Sequence, residues 1–419
     1  MDDRASAGEL YELYKDWEQS SWAATAVDLA GDAGQWAGAL GDLQRRAATW
    51  NYSMFLVGVN TEARVLPVLL DAFAGRPLGV LLATQVADEA RNRVFLDRFV
   101  REVAGQGRDP ESTLQASRAH VTWGFAQILA ELERLGEALR RKPRDERLAA
   151  QIFACCHLVI EGVLAVPGEH FVSRYLAKAG LMPGLAQGLA AVARAEARHV
   201  ALGMIGLRAL VASSKEARAG VVETLNKILP WMVGVFVPPG MDESYVECFD
   251  FSLVEIYAFG LRAFEQRVAE VGIDPAELFL LARDDRSLSY EERARRVLTL
   301  VRDGVIGDDR REPEVSRASF EILFEGMARA TDLATARSLE GPVEWSFTDA
   351  EPWHLVVTDD HVEAKPGRAG EPALRLESSA ADWAKMVVGR ADARWGLLTR
   401  RLKVHGPFAA KKKLPKLFN

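Results

Sequence analysis

The sequence predicts a mainly α-helical protein in which a long helical bundle is followed by a small α+β domain. From about residue 9 to residue 211, apolar residues recur at the spacing of amphipathic helices, with few strand signals. After Glu314 the pattern changes to short alternating segments separated by Asp, Gly and Pro turns, which is typical of β-strands. We therefore expect a helical domain over residues 1–310 and an α+β domain over residues 313–419.

The composition limits the setting and the partners. The chain has 419 residues, and its net charge of −7 disfavours nucleic acid as a partner, although residues 411–416 are locally basic. Three scattered cysteines do not make a disulfide framework, so we expect a reducing, cytoplasmic setting. The N-terminus lacks an apolar signal core, and we find no uncharged apolar run of membrane-spanning length.

Six helices are predicted in the first domain, near residues 7–30, 36–73, 77–106, 110–142, 145–178 and 182–212. Asp109 followed by Pro110 is typical of an N-cap and a first helical residue. A later helix start is predicted at Asp274, followed by Pro275. The aromatic-rich region over residues 231–259 favours packing against the bundle over a substrate channel.

The sixth predicted helix carries Glu196 and, three residues later, His199, which share one helix face. A carboxylate and an imidazole suit a divalent iron, manganese or zinc ion, provided that other helices supply more carboxylates. Taken alone, the pair also fits a half-exposed surface helix with Arg194 and Arg198 as charge partners. The other helices decide between these interpretations.

The fifth predicted helix is apolar almost all round over residues 152–166, and its strongly polar side chains are His157 and Glu161. Such a helix is buried, and an ionised carboxylate inside it needs a partner or a metal. His157 lies one turn earlier on the same face. It is a second ligand, a hydrogen-bond partner of Glu161 or a satisfied core histidine, and the sequence leaves these three readings open.

The second and third predicted helices supply further ligand types. Glu62 interrupts an apolar segment of the second helix, and the third carries Glu89 with Asn92 three residues on. The chain therefore has a Glu on each of two helices, a Glu-x-x-His and a Glu-x-x-Asn. This is the duplicated ligand set of a carboxylate-bridged dimetal bundle with one histidine replaced.

Residues 161–199 contain a glutamate, a turn ending in Leu-x-Pro-Gly and the Glu-x-x-His helix, in that order. Over roughly residues 15–290 the chain thereby resembles the ribonucleotide reductase small subunit and its ligand-binding oxidase relatives. The resemblance implies a ferritin-like dimetal-carboxylate fold that holds two iron ions, or manganese and iron. It places the ligands on Glu62, Glu89, Glu161, Glu196 and His199, with Asn92 and His157 as secondary candidates.

Asn92 stands where that family has histidine, and an amide oxygen is a weaker, neutral donor than imidazole. Either His157, His120 or a nearby carboxylate such as Asp88 completes the first metal position, or the site is asymmetric, with one metal held loosely or only when substrate is bound.

Two other departures from the family limit the expected activity. The radical-forming tyrosine of the reductases falls at Phe95 and Leu96, so reductase function is not expected. The valine and tyrosine that cross-link in the ligand-binding oxidases fall at Arg64 and Cys156, so that chemistry is not expected either.

The C-terminal region has predicted strands near residues 343–348, 353–358, 361–365, 373–377 and 401–406. Its closing stretch resembles a sterol-carrier-protein domain, with a helix pair around Trp383 and Trp395, a basic strand ending at Gly406 and a terminal helix. Pro407 stands where that family commonly has aspartate. The resemblance covers about residues 313–419, and it leaves open both lipid binding and a structural role.

The resemblances imply a dinuclear iron, or manganese/iron, oxidase or oxygenase that activates dioxygen to oxidise a small or apolar organic substrate, in keeping with a biosynthetic pathway. The expected partners are dioxygen, this substrate and an electron donor, and a homodimer is the assembly considered. The alternative is a non-catalytic lipid- or metabolite-binding protein with a degenerate metal site. A third reading is a single-metal enzyme that uses Glu161, Glu196 and His199.

Overall fold

The computed structural model describes residues 3–274, 277–278 and 285–418, and the chain divides into two compact units, Met1–Asp274 and Pro275–Asn419. The described part of the first unit is helical. The second unit combines helices with a five-stranded sheet. The predicted fold class, a helical bundle followed by a small α+β domain, is confirmed.

The first unit is built from long helices joined by short turns. In chain order they are α1 (Asp3–Gln19), α2 (Ala30–Gly38), α3 (Asp42–Ala72), α4 (Pro77–Arg98), α5 (Pro110–Arg118), α6 (Trp123–Arg141), α7 (Glu146–Phe153), α8 (Val166–Ala179), α9 (Pro183–Ser213), α10 (Lys215–Met232), α11 (Ser244–Glu247) and α12 (Leu253–Glu270). Two π-helical segments extend these helices: Phe99–Val103 continues α4, and Ala154–Ala165 joins α7 to α8. Helix α3 packs against α4 and α6, and the Ala154–Ala165 segment packs against α9 and α12.

The single helix predicted over residues 7–30 is wrong, because α1 ends at Gln19 and a separate α2 begins at Ala30. The side chain of Arg98 explains the break. It donates hydrogen bonds to the backbone carbonyls of Ala24 (2.7 Å) and Val27 (3.0 Å), which satisfies these groups outside a helix.

The helix predicted over residues 110–142 is also divided, into α5 and α6. Its start is as predicted, because Asp109 Oδ1 accepts a 2.8 Å hydrogen bond from the Ser112 backbone N–H. Near the start of α6, Gly124 packs so closely against the Trp231 carbonyl that a Cβ would lie 2.3 Å from its oxygen. The backbone at the start of α6 therefore lies directly against the end of α10, an approach that only a glycine permits. The helix predicted to begin at Pro275 lies outside the described residues.

Two helical stretches, Asp42–Ala72 and Glu146–Ala179, are long and apolar enough to cross a membrane by length and composition alone. In their most apolar windows, 72% and 89% of the residues are buried inside the protein. Buried core helices pass the same test, so this is weak evidence for a span.

Helix α9 is fixed at its N-terminus by a side chain from α2. Asp32 accepts hydrogen bonds from the backbone N–H groups of Gly184 (3.1 Å) and Leu185 (2.6 Å). A carboxylate at this end also offsets the positive pole of the helix dipole. About three turns further on, α9 carries Glu196 and His199, so this cap fixes the helix that holds the predicted metal motif.

The second unit contains a sheet with strand order β3-β2-β1-β4-β5, in which β1 and β4 are parallel and the other pairs antiparallel. The strands, all near their predicted positions, are β1 (Val343–Phe347), β2 (Trp353–Val357), β3 (Val362–Pro366), β4 (Leu374–Ser378) and β5 (Lys403–His405). The helices are α13 (Tyr290–Arg302), α14 (Arg317–Ala330), α15 (Leu333–Arg337), α16 (Ala380–Val387), α17 (Ala393–Leu398) and α18 (Phe408–Lys411). Aromatic rings from α14, β1, β2 and α16 pack together in the core: Phe320, Phe324, Trp345, Phe347, Trp353 and Trp383.

Candidate metal centre

Helices α4 and α9 and the Ala154–Ala165 segment bring four of the predicted ligands to one buried point. One donor atom each from Glu89, Glu161, Glu196 and His199 lies within 4.8 Å of the others. His199 Nδ1 is 3.1 Å from Glu89 Oε1, 3.5 Å from Glu161 Oε1 and 3.9 Å from Glu196 Oε2. All four residues are at most 7% exposed. The face of α9 that carries Glu196 and His199 therefore points into the protein interior and is not a half-exposed surface.

Many donor atoms at this point have no hydrogen-bond partner. They are both carboxylate oxygens of Glu89, Oε2 of Glu161 and of Glu196, Oδ1 of Asn92, and Nδ1 of His157 and of His199. A buried polar atom without a partner costs about 1–3 kcal/mol, and more if it is charged. A bound cation would satisfy these lone pairs, so the residues fit the metal ions that the sequence predicts.

Glu62 on α3 lies beside this group and contacts the Ala154–Ala165 segment. Its Oε1 accepts a 3.2 Å hydrogen bond from the Cys156 thiol, and it is close enough to Glu161 and Glu89 for their charges to affect its pKa. Cys156, His157 and Glu161 form a second group of donor atoms within 4.8 Å of one another.

Gln85 is a buried polar residue of the site that the sequence reasoning missed. Its Nε2 donates to Glu161 Oε1 and its Oε1 contacts His157 Nε2, both at 2.9 Å. His157 thus reaches Glu161 through an amide, not directly, and its Nδ1 stays unpartnered. Gln85 lies one turn before Glu89 on the same face of α4, and this four-residue spacing was the available signal.

Asp88 holds the other nitrogen of the candidate ligand His199. Its Oδ2 is 3.4 Å from His199 Nε2 and accepts a 3.1 Å hydrogen bond from Arg198, while Oδ1 accepts from Trp17 (3.2 Å) and Arg91 (2.7 Å). Asp88 is therefore not a free ligand that replaces the missing histidine. A carboxylate in this position fixes the orientation of a metal-binding imidazole.

Asn92 turns its amide toward a neighbouring carboxylate. Its Nδ2 donates to Glu196 Oε1 at 3.3 Å, and its Oδ1 is unpartnered. His120 lies half-buried after the end of α5 and belongs to neither donor group among the described residues. His120 therefore does not supply the imidazole that Asn92 replaces.

Two of the other family positions, Phe95 and Arg64, lie outside both groups of donor atoms. Phe95 is fully buried, and its ring occupies the space beside Gly188, where a Cβ would lie 2.0 Å from the ring. Arg64 points outward, is 63% exposed and pairs with Glu133 at 2.8 Å.

The buried glutamates of the cluster lie so close together that they cannot all be ionised without a counter-charge. Burial, together with the neighbouring carboxylates, raises the pKa of Glu62 and of Glu196 well above the usual range. Burial alone would raise the pKa of Glu161 too, but His157, His199 and Gln85 outweigh it and hold that pKa low. Burial alone would lower the pKa of His199, but the neighbouring carboxylates Asp88, Glu161 and Glu89 outweigh it and raise that pKa. A divalent cation would lower the raised pKa values of Glu62 and Glu196 and hold the carboxyl groups ionised.

The imidazole of His157 behaves differently from that of His199. Burial lowers the pKa of His157 to about 4, so the ring is neutral at neutral pH. A neutral imidazole retains a nitrogen lone pair for a metal or a hydrogen-bond donor.

A fifth carboxyl group, Glu169 on α8, was also missed by the sequence reasoning. Burial and the charge of Glu161 raise its pKa to about 7, and its Oε1 has no partner. Glu169 lies eight residues after Glu161, just beyond the apolar segment at residues 152–166.

One cavity adjoins the cluster and reaches Glu62, Glu161 and Glu196; its empty volume is about 530 Å³, which includes space open to solvent. A second cavity is lined mainly by apolar side chains, and its empty volume, about 780 Å³, also includes open solvent. The two cavities share Asn51, Gly168 and Phe236, so they are neighbours.

The aromatic-rich region contributes to this space. Phe236, Phe249 and Phe251 line the larger cavity, while Phe249 also packs edge-on against Tyr175 and Phe251 against Phe171. The region therefore packs against the bundle, as the sequence favoured, and at the same time forms a cavity wall.

Solved structures with the same helical fold are R2-like ligand-binding oxidases. A single-site variant with an anaerobically reconstituted Mn/Fe cofactor is 20% identical, has a TM-score of 0.54 and matches 63% of this chain and 93% of its own. The oxidase with an aerobically reconstituted Mn/Fe cofactor after a long soak is 18% identical, has a TM-score of 0.54 and matches 63% of this chain and 92% of its own. At these identities the likeness shows the fold.

The C-terminal part of the chain, residues 321–419, matches the model of the SCP-2 sterol transfer family. Both resemblances inferred from the sequence are thereby confirmed. The chain joins the ferritin-like fold of the R2-like ligand-binding oxidases to a C-terminal domain of the SCP-2 sterol transfer type.

Proposed function

We propose that this protein is a dimetal oxidase or oxygenase that uses dioxygen to oxidise a small or apolar organic molecule. The observation that carries the proposal is the buried set of unpartnered donor atoms on Glu89, Glu161, Glu196 and His199. The Mn/Fe cofactor of the structurally similar oxidases supports it.

The donor set favours two ions over one. Glu62, Glu89, Glu161 and Glu196 together carry four negative charges when ionised, which two divalent cations offset. Carboxylate and imidazole donors of this kind suit iron and manganese. When bound, such a pair supplies two redox-active centres at which dioxygen is reduced. Under the single-metal reading Glu62 would have no metal partner and would stay protonated, because burial raises its pKa.

The remaining residues position the ligands and control protons. Asp88 orients His199, and Gln85 holds Glu161 in place. Glu169, with its pKa of about 7, is suited to exchange a proton near neutral pH.

The cavities support an apolar substrate. The smaller one reaches three of the candidate ligands, and the larger one offers an apolar wall next to it. A molecule that fills both would bury its apolar part while presenting one end to the metal ions. The proposal also includes an electron donor, a role in a biosynthetic pathway and a homodimeric assembly. The three free cysteines are consistent with the expected reducing, cytoplasmic setting.

The test is anaerobic loading with ferrous iron, alone or with manganese(II), followed by metal analysis and oxygen uptake. We expect close to two ions per chain and oxygen consumption by the loaded protein. Glu196→Ala should reduce both. The matched control is Glu131→Gln, which changes a buried glutamate on α6 that pairs instead with Arg134 and Lys227. The proposal fails if the protein retains no metal, or if Glu196→Ala behaves like the control.

Ligand binding without catalysis is the second candidate function, and the apolar cavity of about 780 Å³ favours it. It predicts that an apolar ligand co-purifies with the protein, while the reduced protein consumes no oxygen. The SCP-2-type domain leaves lipid binding and a structural role as alternatives, which lipid analysis of the purified full-length chain would separate.

A further inference from the structure

Cys156 lies within the candidate metal centre. Its Sγ is 3.2 Å from Glu62 Oε1, and it forms a donor group with His157 and Glu161. Glu161 also belongs to the group of Glu89, Glu196 and His199. The two groups of donor atoms therefore share one carboxylate, as two metal positions joined by a bridging ligand would.

This second group has the features of a built site. Cys156, His157 and Glu161 are each at most 1% exposed. His157 Nδ1 and Glu161 Oε2 have no hydrogen-bond partner. Buried polar atoms of this kind are normally satisfied, so their presence beside the thiol points to a ligand that binds there.

The π-helical winding explains why the thiol faces the site. In an α-helix, residues five apart point in directions roughly 140° apart. A π-helix has i→i+5 hydrogen bonds, so residues five apart stack on one face. Cys156 and Glu161 are five apart and both lie in the π-helical segment Ala154–Ala165.

We propose that the Cys156 thiolate is a ligand of the second metal ion, which it binds together with His157 and Glu161 of its donor group and with the adjoining Glu62. This inference rests on the proposed function. On binding, the S–H bond breaks, a sulfur–metal bond forms and the proton leaves to solvent. The hydrogen bond to Glu62 Oε1 is given up, which frees that oxygen for the same ion. A soft thiolate favours iron, cobalt or zinc at this position over manganese.

The neighbouring Cys155 offers a matched control. It is also fully buried, but its Sγ lies 3.9 Å from the backbone carbonyl of Ile128 on α6, not beside Glu62. Cys155→Ser and Cys156→Ser therefore remove the same atom from adjacent buried positions, of which one faces the donors.

The test loads the full-length protein with cobalt(II) and records metal content and the thiolate-to-cobalt charge-transfer absorption in the near ultraviolet. Wild type and Cys155→Ser should bind two ions and show this band. Cys156→Ser should lose the band and bind its second ion about tenfold more weakly or worse. X-ray absorption of zinc-loaded wild type needs no variant and should show one sulfur neighbour for every two zinc ions, at about 2.3 Å.

The outcomes separate this inference from the proposed function. Wild type that binds two ions with no thiolate band and no sulfur neighbour would overturn the inference and leave the dimetal proposal standing. A band that survives in Cys156→Ser, or disappears in Cys155→Ser instead, would also overturn it. Wild type that binds no metal would refute the dimetal proposal itself.

Discussion

Replacing Asp88 by asparagine should weaken metal binding while the bundle stays folded. Asp88 is 1% exposed and holds His199 Nε2 at 3.4 Å, so that Nδ1 faces the three glutamates. Losing a carboxylate behind a metal-binding histidine typically lowers metal affinity 10–100-fold, or about 1.4–2.7 kcal/mol. Asparagine keeps the shape of the side chain and one acceptor oxygen but loses the charge.

The stability cost of the same change follows from the partners of Asp88. Removing one member of a buried ion pair costs about 3–5 kcal/mol when the remaining charge has no other partner. Arg198 keeps hydrogen bonds to Asp16 (3.2 Å) and Ser20 (2.7 Å), and the Arg91 side chain is 26% exposed. We therefore expect a loss at the lower end, about 3 kcal/mol.

Two measurements on the same samples separate these effects. Competition with a chromophoric chelator gives the metal affinity, and guanidinium unfolding of the metal-free protein gives the stability. The matched control is Asp97→Asn, because Asp97 is a buried aspartate on the same helix that pairs with Arg101 at 3.3 Å. Equal metal affinity in the two variants would refute the orienting role of Asp88, whatever their stabilities.

Three further outcomes are expected. Glu169→Gln should stabilise the metal-free protein at about pH 8 but not at about pH 5, by roughly 3 kcal/mol at most. The pKa of Glu169 in the folded protein, about 7, lies above its value in the unfolded chain, so the stability of the wild type falls as pH rises from the unfolded pKa to the folded one. Equal pH dependence of both proteins in guanidinium unfolding would contradict this. Gly203→Ala should cost about 1–3 kcal/mol and weaken metal binding, because the new Cβ would lie 2.2 Å from the His157 Cβ. Gly260→Ala, which meets no atom within 4 Å, is its control in thermal melting, and equal melting temperatures would refute the packing argument. Metal loading should release protons, because burial keeps carboxyl groups of the cluster protonated, so titration calorimetry should give higher affinity at about pH 8 than at about pH 6.

Much of the site was predictable because its residues break a strong local pattern. Glu161 stands out as an acid in an apolar helix, and Glu196 and His199 share the three-residue spacing of one helix face. Burial makes such exceptions costly, so they identify positions that need a partner. The same reasoning gives the two-part architecture, because the change from helical to alternating periodicity is abrupt.

The parts that were missed depend on contacts between distant segments. The break after Gln19 is stabilised by Arg98, which lies more than seventy residues away in the chain. The role of Gln85 depends on the packing of α4 against the Ala154–Ala165 segment, because its two hydrogen-bond partners, Glu161 and His157, lie in that segment. Local sequence patterns do not encode such pairings.

The place of Cys156 could not be predicted for a different reason. Helical periodicity assumes 3.6 residues per turn, which puts His157 and Glu161 on one face and Cys156 away from it. The π-helical segment changes this rule over twelve residues and places Cys156 and Glu161 together. Helix α9 presents Glu196 and His199 through ordinary helical spacing, whereas the π-helical segment Ala154–Ala165 brings Cys156 and Glu161, five residues apart, into one donor group. The proposed thiolate ligand would therefore give the two proposed metal positions different donors, and the cause would be the different winding of the two helices.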